Sequence, residues 1–255
     1  MASYKGKIIA ISSAKGGVGK TTLSLNLAGT FCVLKKKTLI IDLCLSSGNI
    51  AVSLNLKNDV SIYNLVDDMA NNRYQDFSTY VEKYNEYIDV LCAPKDPRLA
   101  NKIDYKYLEL ILNSVKTKYD VIILDTSHIL DSINITSLDF SDTILHLLTN
   151  DPLDIKNTKS IIAIFKDIDK DIKVILNDSL NNNRDYFSHF DIKNIIKHNI
   201  DFTISKSFHI KNIDSYILDG EILILNKSLS FKDKKDYDKL LELAKTLIKG
   251  DDKHE

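Results

Sequence analysis

The densest chemistry in this chain lies between Ala14 and Thr22, where Lys15-Gly16-Gly17-Val18-Gly19-Lys20-Thr21-Thr22 follows Ser12-Ser13. Glycines at 16, 17 and 19 permit a tight turn and let successive amide N–H groups come up to an anion. Lys20 supplies a point charge for the β- and γ-phosphates of a nucleotide, and the Thr21 hydroxyl is placed to coordinate magnesium. A helix opening near Lys20 would turn its positive dipole end toward the same phosphates. The spacing predicts binding of a nucleoside triphosphate, ATP with Mg2+, by Ala14–Thr22. A glycine-rich turn without a ligand has no need of the Lys-Thr-Thr that follows.

Such a loop works only between a buried strand and a helix, and the flanking sequence provides both. Lys7–Ser12, Thr38–Leu43, Asp89–Ala93, Val121–Asp125, Thr143–Leu148 and Ile172–Leu176 are short runs of Ile, Leu and Val without clean alternation. That is the pattern of parallel strands covered on both faces. Between them, Lys20–Leu34, Tyr105–Val115, Ile155–Phe165 and Tyr237–Ile248 carry apolar residues at helical spacing. Alternating strands and helices predict an α/β, doubly wound, mostly parallel sheet with helices on both faces. Short helices and one weak strand are expected in Asn181–Leu229. No segment reads as a linker and no repeat is visible, so residues 1–255 are expected to form a single domain.

Composition narrows the partners. With 34 basic and 35 acidic side chains the net charge is −1, which supplies no long-range field for nucleic acid or an anionic membrane. No apolar run is long enough to span a bilayer, and the N-terminal run Ile8–Ile11 is too short for a signal peptide. Cys32, Cys44 and Cys92 each sit beside an aliphatic residue, and are expected as buried thiols of a cytoplasmic protein. The abundance of Asn, Ile and Lys reads as genomic bias.

Lys15 is an extra that an ordinary phosphate loop does not require. Lys15-Gly16-Gly17-Val18-Gly19-Lys20-Thr21 resembles the KGGxGK[ST] motif of the deviant Walker A, MinD/ParA-like ATPases. That resemblance implies an ATP-dependent homodimer, with Lys15 reaching across the interface to the partner's nucleotide. Thr38–Asn49 is similar to the family's second-strand motif Asp-x-Asp, with Asp42 at the first, catalytic position and Cys44 where the water-positioning aspartate stands. Tyr119–Ser127 resembles the Walker B and switch segment, which makes Asp125 a magnesium residue held through water. Ser127 and Ile129 occupy the positions of the family's proline and γ-phosphate-contacting glycine. Lys173–Asn177 resembles the segment whose asparagine hydrogen-bonds adenine, and makes Asn177 the base reader.

Within that family, Asp42–Ala51, Leu91–Pro97 and Leu148–Lys159 are similar to the CpaE/TadZ-like pilus-assembly branch. The branch implies a switch that localises a Tad/Flp, type IV-class pilus machine, recruited through partners to the inner membrane face or a cell pole. Many of its members carry a receiver-like N-terminal domain, which is expected to be absent because the first strand begins near residue 7. Cys44 and Ile129 imply weak or impaired hydrolysis and leave a non-hydrolysing, ATP-bound scaffold as an alternative. A MinD/ParA-like cell-division or DNA-partitioning ATPase is the other. Against direct membrane docking, the stripe Leu240, Leu241, Leu243, Ala244, Leu247 and Ile248 reads as a core-covering helix. Against DNA binding, the lysines of Lys232–Lys239 are interleaved with aspartates, as on a solvated face. The cysteines lack the pairing a cluster-bearing reductase needs, and Tyr237 stands without the tyrosine cluster of an autokinase.

Overall fold

The computed structural model describes residues 5–167, 170–179, 186–205, 208, 218–226 and 234–249. Eight strands form one sheet: β1 (Lys7–Ser13), β2 (Thr38–Asp42), β3 (Glu82–Lys83), β4 (Ile88–Leu91), β5 (Val121–Asp125), β6 (Thr143–Leu148), β7 (Asp171–Asn177) and β8 (Phe202–Ile204). Their order is β3-β4-β2-β5-β1-β6-β7-β8. Every neighbouring pair is parallel except β3–β4, where Glu82 and Lys83 run antiparallel to Val90 and Asp89 at the sheet edge.

The strand composition explains the layering. Along β1, Ile9 and Ile11 join one core with Leu27 and Phe31, whereas Ile8 and Ala10 join the opposite core with Ile111 and Leu112. Each pleat therefore buries apolar side chains on both faces, which requires helices above and below. The helices are α1 (Lys20–Val33), α2 (Asn49–Ser53), α3 (Ile62–Ala70), α4 (Tyr105–Val115), α5 (Ser132–Phe140), α6 (Pro152–Asp167), α7 (His189–Ile196) and α8 (Lys234–Ile248). A third cluster, around Leu148, Ile162, Val174 and Ile196, joins α6 and α7 to the β7 side.

α1 is buried on nearly all sides, from Leu23 through Phe31. It lies beneath the sheet and is covered by α8 and the 3-10 turn Leu223–Leu225. Gly29 permits that cover: a methyl group there would lie 2.3 Å from Ile224 Cγ2 and 2.7 Å from Ile222 Cγ2. Asn26 fixes the same turn, its Oδ1 accepting from the Ile224 N–H at 3.1 Å.

The expected α/β architecture is present, and each expected strand and helix has its counterpart. The stripe of α8 faces inward, with Leu240, Leu243, Ala244 and Leu247 buried, as a core-covering helix requires. In the 181–229 stretch, α7 and the three-residue β8 are the expected short helix and weak strand; residues 181–185, 206–207, 209–217 and 227–229 lie outside the described residues. Helices α2, α3 and α5 and strand β3 were not expected. α2 has five residues and β3 two, too short for any period to show. α5, SINITSLDF, mixes buried polar groups with the exposed Ile135, and the Asp131 carboxylate caps it by accepting from the Asn134 N–H at 2.9 Å. Of the thiols, only Cys92 is fully buried; Cys32 and Cys44 are partly exposed. Among the described residues, no helix is long and apolar enough to cross a membrane.

Candidate functional site

The C-terminal ends of β1, β2 and β5 meet beside the point where the chain turns to β6, where open α/β sheets form their ligand crevice. A cavity of about 940 Å³ opens there. Its walls come from the loop after β1, the 43–53 segment after β2, the 127–133 turn after β5, residues 100–105 and Glu221–Leu223.

The loop after β1 is built as its residue types require. Gly17 and Gly19 take positive φ, 76° and 98°, and Gly19 starts α1 from the left-handed region. No side chain caps α1, and the first helical bond runs from the Leu23 N–H to the Gly19 carbonyl at 2.9 Å. The backbone N–H groups of Gly16, Gly17, Val18, Gly19, Lys20, Thr21 and Thr22 thus have no acceptor among the described residues. Unpaired amides at a helix start attract an anion. Lys20 is buried, and its ammonium donates to Ser13 Oγ at 2.8 Å; Ser13 Oγ donates in turn to the Lys15 carbonyl at 2.7 Å. Burial pushes the Lys20 pKa down, against the raising effect of the Asp125 and Asp154 charges.

Asp125 ends β5 with no solvent exposure. Its two oxygens accept from Thr21 Oγ1 and Ser24 Oγ, each at 2.8 Å. Asp42 ends β2, equally buried, and accepts from the backbone N–H of Cys44 and of Ile50, each at 3.0 Å. Those bonds tie the loop after β2 and the start of α2 to the strand end, and neither Asp42 nor Asp125 is among the residues that line the cavity. Desolvation, then the charge of Asp125, raises the Asp42 pKa to about 7. Asp125 is likewise raised by burial, with the Thr21 and Ser24 hydroxyls pulling it back.

One ligand atom each from Asp42, Cys44 and Asp125 lie within 4.8 Å of one another. The Thr21 hydroxyl and the Asp125 carboxylate are hard-oxygen donors of the kind that suits Mg2+. The thiol does not: Cys44 Sγ points to the Thr126 carbonyl at 3.4 Å, and burial followed by the two carboxylate charges pushes its pKa far up. It stays neutral and is no replacement for a carboxylate.

Asn177 departs from the expected free base-reading amide. Its Nδ2 donates to the Val18 carbonyl at 2.9 Å, and its Oδ1 accepts from the Ser179 N–H and hydroxyl at 3.1 and 2.6 Å. It braces the phosphate loop from the end of β7, and leaves only its second amide hydrogen for a ligand. Beside it lies a smaller cavity of about 120 Å³ lined by Phe202, Phe208, Leu223 and Asp236. Lys15 stands at the surface, half exposed, with its ammonium 3.7 Å from Asp151.

Sequence reasoning missed Ser13, Ser24, Asn134 and His128. Ser24 was within reach, since it lies one turn after Lys20 on the same face of α1. The others act through tertiary contacts that no local spacing encodes.

A family model described as AAA domain (AAA_31) matches residues 6–182. The chain belongs to this MinD/ParA-like ATPase family. It is 24% identical over 157 residues to the septum site-determining protein MinD of Helicobacter pylori, covering 62% of this chain and 58% of the relative. It is 31% identical over 147 residues to the chromosome partitioning protein ParA of Myxococcus xanthus, covering 55% and 51%. The chain thus spans little more than half the length of these curated relatives. In fold it is similar to the septum site-determining protein MinD of Pyrococcus horikoshii complexed with Mg-ADP. That likeness has a TM-score of 0.77 at 20% identity, over 95% of this chain and 96% of the other. The AAA-domain match ends just past β7, so it contains the loop after β1, Asp42, Asp125 and Asn177 together.

Proposed function

We propose that this chain is an ATP-binding switch that dimerises when loaded and is reset slowly. The observation that carries the reading is the run of unpaired amides at Gly16–Thr22, set over the buried Lys20 ammonium and beside the Thr21–Asp125 pair. Gly16, Gly17, Val18, Gly19 and Thr22 hold the phosphates through backbone N–H groups, and Lys20 leaves Ser13 for the β- and γ-oxygens. Thr21 and Asp125 hold Mg2+, which supplies charge neutralisation between those oxygens. Ser24 keeps Asp125 oriented, and Asp42 holds the neighbouring wall. The base lies toward the smaller cavity, where the second Nδ2 hydrogen of Asn177 meets an adenine nitrogen while the first keeps Val18 in place.

Lys15 is the residue offered to a second copy. Its ion pair with Asp151 is exposed, and such pairs are worth about 1 kcal/mol or less, so it is easily released. The names of the relatives, septum-site determination and chromosome partitioning, support a role in positioning other components; cytoplasmic location and recruitment through partners belong to the same proposal. The names lend no support to a pilus-assembly role, which rests on the branch resemblance alone. A non-hydrolysing scaffold is the second reading, favoured by the neutral Cys44 thiol.

Equilibrium titration with fluorescent ATP analogues tests the core of this proposal. Lys20→Ala should weaken binding at least about a hundredfold, because it removes the one buried ammonium at the phosphates. Equal affinity in the variant and the parent would end the proposal. Phosphate release above roughly 10⁻³ s⁻¹ that disappears in Lys20→Ala favours the switch; tight binding without release favours the scaffold.

A further inference from the structure

We infer that His128 is the side chain by which this site tells a nucleoside triphosphate from a diphosphate, a reading that rests on nucleotide binding at Gly16–Thr22. The turn after β5 is closed on itself. Ser127 Oγ accepts from the Ile129 N–H at 3.1 Å and from Asn134 Nδ2 at 2.9 Å, while the Ser127 N–H donates to Asn134 Oδ1 at 3.1 Å. The Ile129 amide is therefore consumed inside the turn, and the side chain it carries is an exposed hydrocarbon. This stretch of wall needs another donor if it is to meet an anion.

His128 is that donor. Its ring lies over the phosphate loop: a methyl group built on Gly16 would stand 3.5 Å from Nδ1 and 3.6 Å from Cε1. Neither ring nitrogen is hydrogen-bonded among the described residues, and the ring lines the same cavity as Lys20 and Thr21. An imidazole carries at least one N–H in every protonation state. The direction of the phosphate chain decides which phosphate it meets. The diphosphate part of a bound nucleotide would sit on the amides at the start of α1, and Thr21 and Asp125, hydrogen-bonded to each other at 2.8 Å, would hold a divalent cation that neutralises phosphate charge. The terminal phosphate would then lie on the Asp125 side, in the cavity that His128 lines three residues later. The β-phosphate would stay with the amides at the start of α1, while the ring lies over Gly16 at the opposite end of the loop.

Calorimetric titration of the full chain with Mg2+ and either ADP or a non-hydrolysable ATP analogue tests this. His128→Ala should raise the Kd of the triphosphate about tenfold, the effect of one hydrogen bond to a charged group, and change that of ADP less than about twofold. His128→Gln, which keeps an N–H donor, should recover much of the loss; circular dichroism reports whether either variant is folded. A merely structural role would weaken both nucleotides alike, and that result, or no change for the triphosphate, overturns the proposal while leaving phosphate-loop binding intact. If the parent chain binds neither nucleotide, the underlying reading fails as well.

Discussion

At the scale of single residues, the site is defined by which groups are charged and which are kept neutral. Lys20 bonds to Ser13 and Asp125 to Thr21, the groups proposed to meet a magnesium nucleotide, whereas Cys44 places a thiol among carboxylates. Cys44→Asp would bring a third carboxylate within 4.8 Å of two others. Without a divalent cation, that repulsion should destabilise the fold by about 1–3 kcal/mol, read as a lower melting temperature that Mg2+ and ATP restore. Turnover should rise in the same variant if the missing carboxylate limits hydrolysis; unchanged turnover would show that Cys44 sets no limit on it. Cys44 was legible in the sequence as a departure. That the thiol is neutral near pH 7 was legible too, from its ordinary pKa; the further rise, from burial first and then from the charges of Asp125 and Asp42, was not.

At the scale of elements, buried polar contacts tie the phosphate-loop strand to its surroundings. His146 on β6 has no solvent exposure and lies between Ser12 Oγ on β1 at 3.4 Å and Thr158 Oγ1 on α6 at 3.3 Å. Burial, reinforced by the charges of Lys20 and His198, pushes its pKa down to about 3. The unfolded chain titrates near 6.5, so it takes up this proton first. The stabilisation is complete above about 6.5 and is lost as pH falls toward 3. Over the interval from 6.5 to 5 the loss is about 2 kcal/mol. In His146→Gln, the drop in melting temperature between pH 7.5 and pH 5 should be smaller by several degrees. An identical drop would show that His146 is not the group being titrated. Packing of α1 offers a second measurement. Gly29→Ala should cost about 1–3 kcal/mol in thermal or urea unfolding, because Ile222 and Ile224 occupy the space its methyl needs. The helix itself was plain from its apolar spacing, but its burial on every side depends on residues nearly two hundred positions away.

At the scale of the whole molecule, the cavity of about 940 Å³ is far more than the phosphate tail alone requires, and Lys15 stands exposed near it. The proposed dimer would bring residues of a second copy into this space beside the nucleotide. Sedimentation with a non-hydrolysable ATP analogue should show the parent chain shifting to a dimer and Lys15→Ala remaining monomeric with most of its nucleotide affinity kept. A parent chain that stays monomeric at saturating nucleotide excludes the role of Lys15 in trans.

The six longer strands that alternate with α1, α4, α6 and α8, the phosphate loop, and the residues Asp42 and Asp125 at strand ends could be read directly from the chain. Each is written in local terms: runs of Ile, Leu and Val, helical spacing, and glycines beside Lys-Thr. Tertiary structure alone decided the rest. It turned Asn177 inward to hold Val18, set Ser24 and Thr21 on opposite oxygens of Asp125, and laid the His128 ring over Gly16. A hydrogen bond between residues a hundred positions apart depends on the register of the sheet that brings them together. No local run of the sequence carries that register.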